Sequence, residues 1–131
     1  MDIYPPAVQR PALLRLAEAI SCRAVALRRD ECGDWRINGR TGHIYACPEG
    51  FLLMALTRSA RAWTEAKRRL TPFASLHNDG DEEGSFILDR LPTAGEAAHI
   101  RRALMIHKRK RLSDEHVQKL REGLQHARLA A

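Results

Sequence analysis

The sequence predicts an α+β fold: an antiparallel sheet of about four to six strands with N-terminal, middle and two C-terminal helices. Three observations predict it. Period-two runs separated by glycine turns give way to helical spacing between Asp34 and Leu70. Two further short apolar runs flank an acidic, glycine-containing loop at 78–84. The segments 11–20, 93–104 and 113–127 repeat apolar residues every three or four positions, the signature of helices with one buried face. The 131 residues read as a single domain, since one core serves chains of roughly 100–150 residues.

Met1 to Arg10 is expected to be irregular, because Pro5 and Pro6 disfavour a helix there. Pro11 suits the first helical position, and Leu13, Leu16, Ala17 and Ile20 then share one face. Ser21 to Asp30 reads as a strand, and Glu31 to Gly33 as a turn. Trp35 and Ile37 alternate with Arg36 and Asn38, a half-buried strand entering the turn Asn38 to Gly42. His43 to Cys47 is the next strand, Pro48 to Gly50 a turn, and Phe51 to Leu56 a further strand, closing a β-meander.

Ser59 caps a helix that buries Ala62, Trp63, Ala66 and Leu70, and Thr71-Pro72 stops it. Phe73 to His77 and Ser85 to Asp89 form the second hairpin. Thr93 with Glu96 is a capping box, and Ala97, Ile100 and Leu104 are the buried stripe of the helix it starts. Ser113 caps a last helix within 112–131, expected to protrude, with Val117, Leu120, Leu124 and Ala127 as a narrow stripe.

The chain carries 22 basic and 16 acidic residues, a formal net charge of +6. The imbalance is uneven, because residues 71–91 hold five acidic side chains against one basic. A basic body with one acidic loop points to an anionic partner, nucleic acid first. Met1 to Arg10 lacks the apolar core of a signal peptide, and no apolar run approaches the ~20 residues a membrane helix needs. The expectation is a cytoplasmic protein with no membrane partner and reduced thiols at Cys22, Cys32 and Cys47.

Chemical signatures are sparse. Asp79 to Gly84 starts like a calcium loop, but Arg90 stands where the bidentate acid belongs. Cys32, His43 and Cys47 lack the paired spacing of a zinc site. Cys47 with His43 has no orienting carboxylate or oxyanion hole, and Glu65-Ala66-Lys67 falls on a helix instead of a metal-bearing strand. No catalytic residue, metal or cofactor is therefore expected.

Two groups suit nucleic acid. Arg36, His43 and Tyr45 leave the core face of the meander, with Arg40 at its turn, placed to enter a groove. Lys108, Arg109, Lys110 and Arg111 precede the last helix as phosphate contacts, and Arg58 and Arg61 extend the basic surface. Three strands followed by a packing helix is similar in layout to plant ethylene-response-type and integrase arm-binding domains. Arg109 to Leu120 resembles a short modular DNA-binding motif appended to homing and restriction-type nucleases, which implies backbone contacts by a serine-capped helix. It lacks the usual lead-in glycine and a second copy. GDWRINGRTGHIYACPEGF and DGDEEGSFILDRLPT resemble a group of small bacterial proteins, which implies a folded family and supplies no activity.

The sequence thus favours a non-enzymatic regulatory or accessory protein that binds nucleic acid, DNA ahead of RNA. The alternative is a protein-interaction module, an inhibitor or adaptor. It would dock through Asp79, Asp81, Glu82 and Glu83 of the acidic loop and through Val117, Leu120 and Leu124 of the last helix, with homodimerisation an option.

Overall fold

The computed structural model describes residues 4–110 and 114–130. The first helix, α1, spans Pro6–Ala19, so the irregular opening and the Pro11 start are both corrected for the described residues. Pro6 sits where a helix N–H has no partner in any case. Pro11 lies inside the helix and forfeits one backbone bond. Gln9 accounts for the extra turn. It is buried, its amide donates to the Tyr4 carbonyl at 2.6 Å and to Asp34 Oδ1 at 2.9 Å, and its Oε1 accepts the Trp35 N–H at 2.8 Å. Leu13, Leu16 and Ile20 are fully buried, as the spacing requires.

The expected strand over Ser21 to Asp30 is also corrected. Ser21 turns into the left-handed region at φ 52° and ends the helix. A 3-10 turn follows at Ala24–Ala26, and only Leu27–Arg29 (β1) pairs with the sheet. Two apolar residues two apart were too little to specify a strand, and Val25 is exposed.

The meander then forms as read: β2 at Trp35–Gly39, β3 at Gly42–Cys47 and β4 at Gly50–Ala55. Helix α2 (Ala60–Leu70) starts at Ser59, whose hydroxyl accepts the Ala62 N–H at 3.1 Å, and buries Trp63, Ala66 and Leu70. The second hairpin has a shorter loop than expected: β5 runs two residues later, at Ser75–Asp79, and β6 one residue earlier, at Gly84–Leu88. Asp79 is drawn into the strand because its carboxylate accepts the Trp63 indole N–H at 2.8 Å and pairs with Lys67 at 3.1 Å. Helix α3 (Ala94–Leu104) carries the complete capping box of Thr93 and Glu96 and buries Ala97, Ile100 and Leu104. Helix α4 spans Asp114–Ala130; Ser113 and the side chains of Val117 and Ala127 lie outside the described residues.

The six strands form one antiparallel sheet in the order β1-β2-β3-β4-β6-β5. Ile37, Ile44, Ala46, Phe51, Leu53, Ala55, Phe86 and Leu88 face one way and join the helix side chains in a single core. Helix α1 lies over β2 and β3, α3 over β4, and α2 against α3. No helix among the described residues is long and apolar enough to cross a membrane.

The β2–β3 turn rests on the end of α3. The N–H groups of Arg40 and Thr41 donate to the Met105 and Leu104 carbonyls at 3.1 and 3.2 Å. That approach leaves no room for side chains at the flanking glycines. A Cβ at Gly39 would collide with the Leu104 carbonyl oxygen, and one at Gly42 with that of Met54. At Gly95 a Cβ meets nothing within 4 Å. Gly39→Ala is therefore expected to lower unfolding stability by about 2–3 kcal/mol, while Gly95→Ala leaves it unchanged or raises it by about 0.5 kcal/mol. Urea titration of the two variants checks the contrast, and equal stabilities would contradict the close contact.

Candidate interaction surfaces

Helices α1 and α3 pack on one side of the sheet, with α2 against α3; among the described residues no such helix contact is seen on the other side, and the strand register fixes what it displays. Residues opposite one another in antiparallel strands share a face. One transverse row runs Arg28, Arg36, Tyr45, Leu52, Ile87 and Ser75. A second runs Asn38, His43, Met54, Ser85 and Asn78. The outward face of an open antiparallel sheet is ordinarily polar. Here Leu52, Met54 and Ile87 make its middle apolar, and all three are half-buried.

Three of the residues expected to enter a nucleic-acid groove do come together on this face, as a closed network. Arg36 Nη1 donates to the Tyr45 hydroxyl at 3.3 Å, and that hydroxyl donates to Asp30 Oδ2 at 2.8 Å. Asp30 Oδ1 accepts the N–H groups of Cys32 and Asp34 at 2.9 Å each. The His43 ring meets Tyr45 edge-on, with centroids 5.1 Å apart. The Tyr45 hydroxyl is the main reason the Asp30 carboxyl is held below the usual carboxylate range. Burial pushes His43 down, helped by Arg36, and pushes Tyr45 up. Arg36 Nε and Ser85 Oγ are the two buried side-chain atoms without a hydrogen-bond partner among the described residues, and both belong to outward-facing residues.

At the β5 side of the face, Met54, Leu56, Asn78, Glu83 and Ser85 help to line a concavity of about 280 Å³. The acidic loop borders it. Asp79 is spent on Trp63 and Lys67, whereas Asp81, Glu82 and Glu83 are exposed. Leu120 and Leu124 of α4 are exposed at 50% and 65%.

Arg40 lies elsewhere, at the end of the molecule where its turn meets α3. There it lines a concavity of about 510 Å³ with Arg101, Arg102, Met105, Ile106 and His107. An adjoining concavity of about 440 Å³ shares His107 and is lined by Arg23, Lys108, Arg109 and Lys110. Arg101 Nη1 donates to the Ile20 carbonyl at 2.8 Å, and Arg109 pairs with Glu18 at 3.2 Å. Arg58 and Arg61 stand apart at the start of α2, and Arg111 lies outside the described residues.

The structure thus places Arg36, His43 and Tyr45 on the sheet face and Arg40, Lys108, Arg109 and Lys110 at the basic end, leaves Arg58 and Arg61 on neither, and adds Arg101, Arg102, Arg23 and the outward apolar band. The band had a signal: Leu52 and Met54 occupy alternate positions of the β4 run. The arginine juxtaposition had none, because it joins residues some sixty positions apart.

The Cys47 thiol is pushed up by burial and then by its bond to Glu49, the opposite of what a nucleophile needs. No group of three or more His, Cys, Asp or Glu able to hold a metal occurs among the described residues. In comparisons with known proteins, no family model, curated protein or solved structure matches the chain.

The Asp30 network has an acid signature. A carboxyl depressed on folding contributes stability above its unfolded value of about 3.9 and loses it as pH falls through the folded value. Tyr45→Phe removes the principal cause, so the variant is expected to be less stable than the parent near neutrality, with the gap closing below about pH 4. Chemical denaturation at pH 7, 5 and 3 measures it; a gap independent of pH would place Tyr45 in packing alone.

Proposed function

We propose that this chain is a non-enzymatic protein-interaction module that holds an extended segment of a partner polypeptide on the bare face of its sheet. The observation that carries the reading is the apolar band Leu52–Met54–Ile87, placed by strand register between Arg28, Arg36 and Tyr45 on one side and Ser75, Asn78 and Ser85 on the other. Tyrosine, methionine and arginine around an apolar centre is the make-up of protein-binding surfaces. An isolated leucine on a surface needs no explanation, but three outward apolar residues on adjacent strands form a continuous patch.

The chemistry of the band also describes its occupant. Two or three apolar side chains at alternate positions would cover Leu52, Met54 and Ile87, since a strand presents every second residue to one face. A carboxylate on the same segment would meet the exposed guanidinium of Arg28. The occupant is then an apolar segment with an acidic end. The exposed leucines of α4 supply a second apolar surface for the same partner.

The test places a photo-crosslinking amino acid at position 52 and, as a control, at Thr64, an exposed residue of α2. In cells, position 52 is expected to trap one discrete polypeptide. That adduct should vanish in a Met54→Arg background whose unfolding midpoint is unchanged. No adduct, or equal adducts at both positions, would overturn the reading.

A further inference from the structure

We infer that the basic end is a second binding site, separate from the sheet face, for the phosphate groups of a nucleic-acid strand. Arg40, Arg101, Arg102 and His107 converge on one concavity, and Arg23, Lys108 and Lys110 continue it past His107. Among the described residues no carboxylate lines either hollow. Among the described residues, Arg23, Arg40, Arg102, Lys108 and Lys110 make no ion pair. The charge of Arg109 is offset by Glu18. On its far side Arg102 feels Glu65, whose carboxylate is already bonded to Arg68.

The cluster is positioned before any ligand arrives. Arg40 is fixed through the seating of its turn, with its own N–H on the Met105 carbonyl and that of Thr41 on Leu104. One guanidinium nitrogen of Arg101 is tied to Ile20, leaving other N–H groups for a ligand. The N–H of Arg109 is held by the Ser21 carbonyl at 2.6 Å, and Lys108 pairs with Cys22 in a strand-like bridge. The basic segment after α3 is thereby pinned to the end of α1. Cations held close without counter-charges repel one another, and an anion relieves that repulsion while meeting donors already in place. Arginine forks suit phosphate in particular.

Shape selects a strand over a single ion or a flat surface. Two hollows of about 510 and 440 Å³ meeting at His107 form a track longer than one phosphate. A phosphodiester chain places a charge at every nucleotide along such a groove, and a bilayer surface does not enter a concavity.

The experiment uses the full chain and three fluorescein-labelled probes: a 20-nucleotide single-stranded DNA, the same sequence in RNA, and the DNA duplex. Anisotropy is read at roughly 50 and 200 mM salt. Binding of at least one probe is expected, falling steeply with salt. Arg40→Gln with Arg102→Gln, and separately Lys108→Gln with Lys110→Gln, should each weaken it about tenfold. Each pair should also lower the log–log salt slope by about 0.7–0.9 per cation removed. Arg58→Gln with Arg61→Gln changes net charge equally and should alter affinity less than twofold. All four positions at the basic end are exposed, so the substitutions are expected to leave the fold intact, and unchanged circular dichroism verifies folding. No binding at the lower salt, an equal loss from the control pair, or binding to phosphatidylserine vesicles in place of all three probes would overturn the inference.

Discussion

The seating of the β2–β3 turn on the last turn of α3 is the contact on which the rest depends. A helix ends with carbonyls that have no partner in the helix, and burial makes them costly to leave unpaired. Here the N–H groups of Arg40 and Thr41 satisfy two of them, and the Thr41 hydroxyl donates to a third, on Ala103, at 3.4 Å. Met105 takes the left-handed conformation that turns the chain away, a position usually left to glycine. Its strain, about 1–2 kcal/mol, is offset by the bonds the turn supplies. Gly39 has no side chain to hold the two backbones apart, and Gly42 leaves the same room for the Met54 carbonyl of β4.

Consequences run in both directions from that contact. It joins the N-terminal half of the sheet, on which α1 packs, to the C-terminal half of the chain. With α1 and α3 on one side of the six-stranded sheet, the alternation of β4 puts Leu52 and Met54 on the other. The same contact brings Arg40 to Arg101 and Arg102. An apolar face and a basic end are thus two outcomes of one packing arrangement. They lie on different surfaces, so a partner polypeptide and a polyanion could be held at once.

Much of the fold was legible because its signals are local. Ser59, the Thr93–Glu96 pair and the Trp35–Ile37 alternation each encode a cap or a strand within a few residues, and each forms where the spacing puts it. The start of α1 was not legible. Pro6 and Pro11 both suit a first helical position, and the choice is made by the bonds of Gln9 to Asp34 and Trp35 across the fold. The first strand of the second hairpin moved for a similar reason, since the Trp63–Asp79 bond draws the acid into β5. For the surfaces, alternation correctly put Arg36, His43 and Tyr45 on one face. It carried no information on Asp30, which closes their network from a separate loop. Arg101 and Arg102 read as ordinary polar positions of a helix until the turn brought Arg40 beside them.

Hydrogen exchange at the Arg40 and Thr41 amides tests the seating most directly. The tip of a two-residue hairpin turn ordinarily exchanges fast through local fraying. Seated on α3, these two amides are expected to exchange only through global unfolding, with the same opening free energy as Ile44 in the centre of β3. Exchange as fast as that of Asp81, at the exposed tip of the other hairpin, would contradict the account.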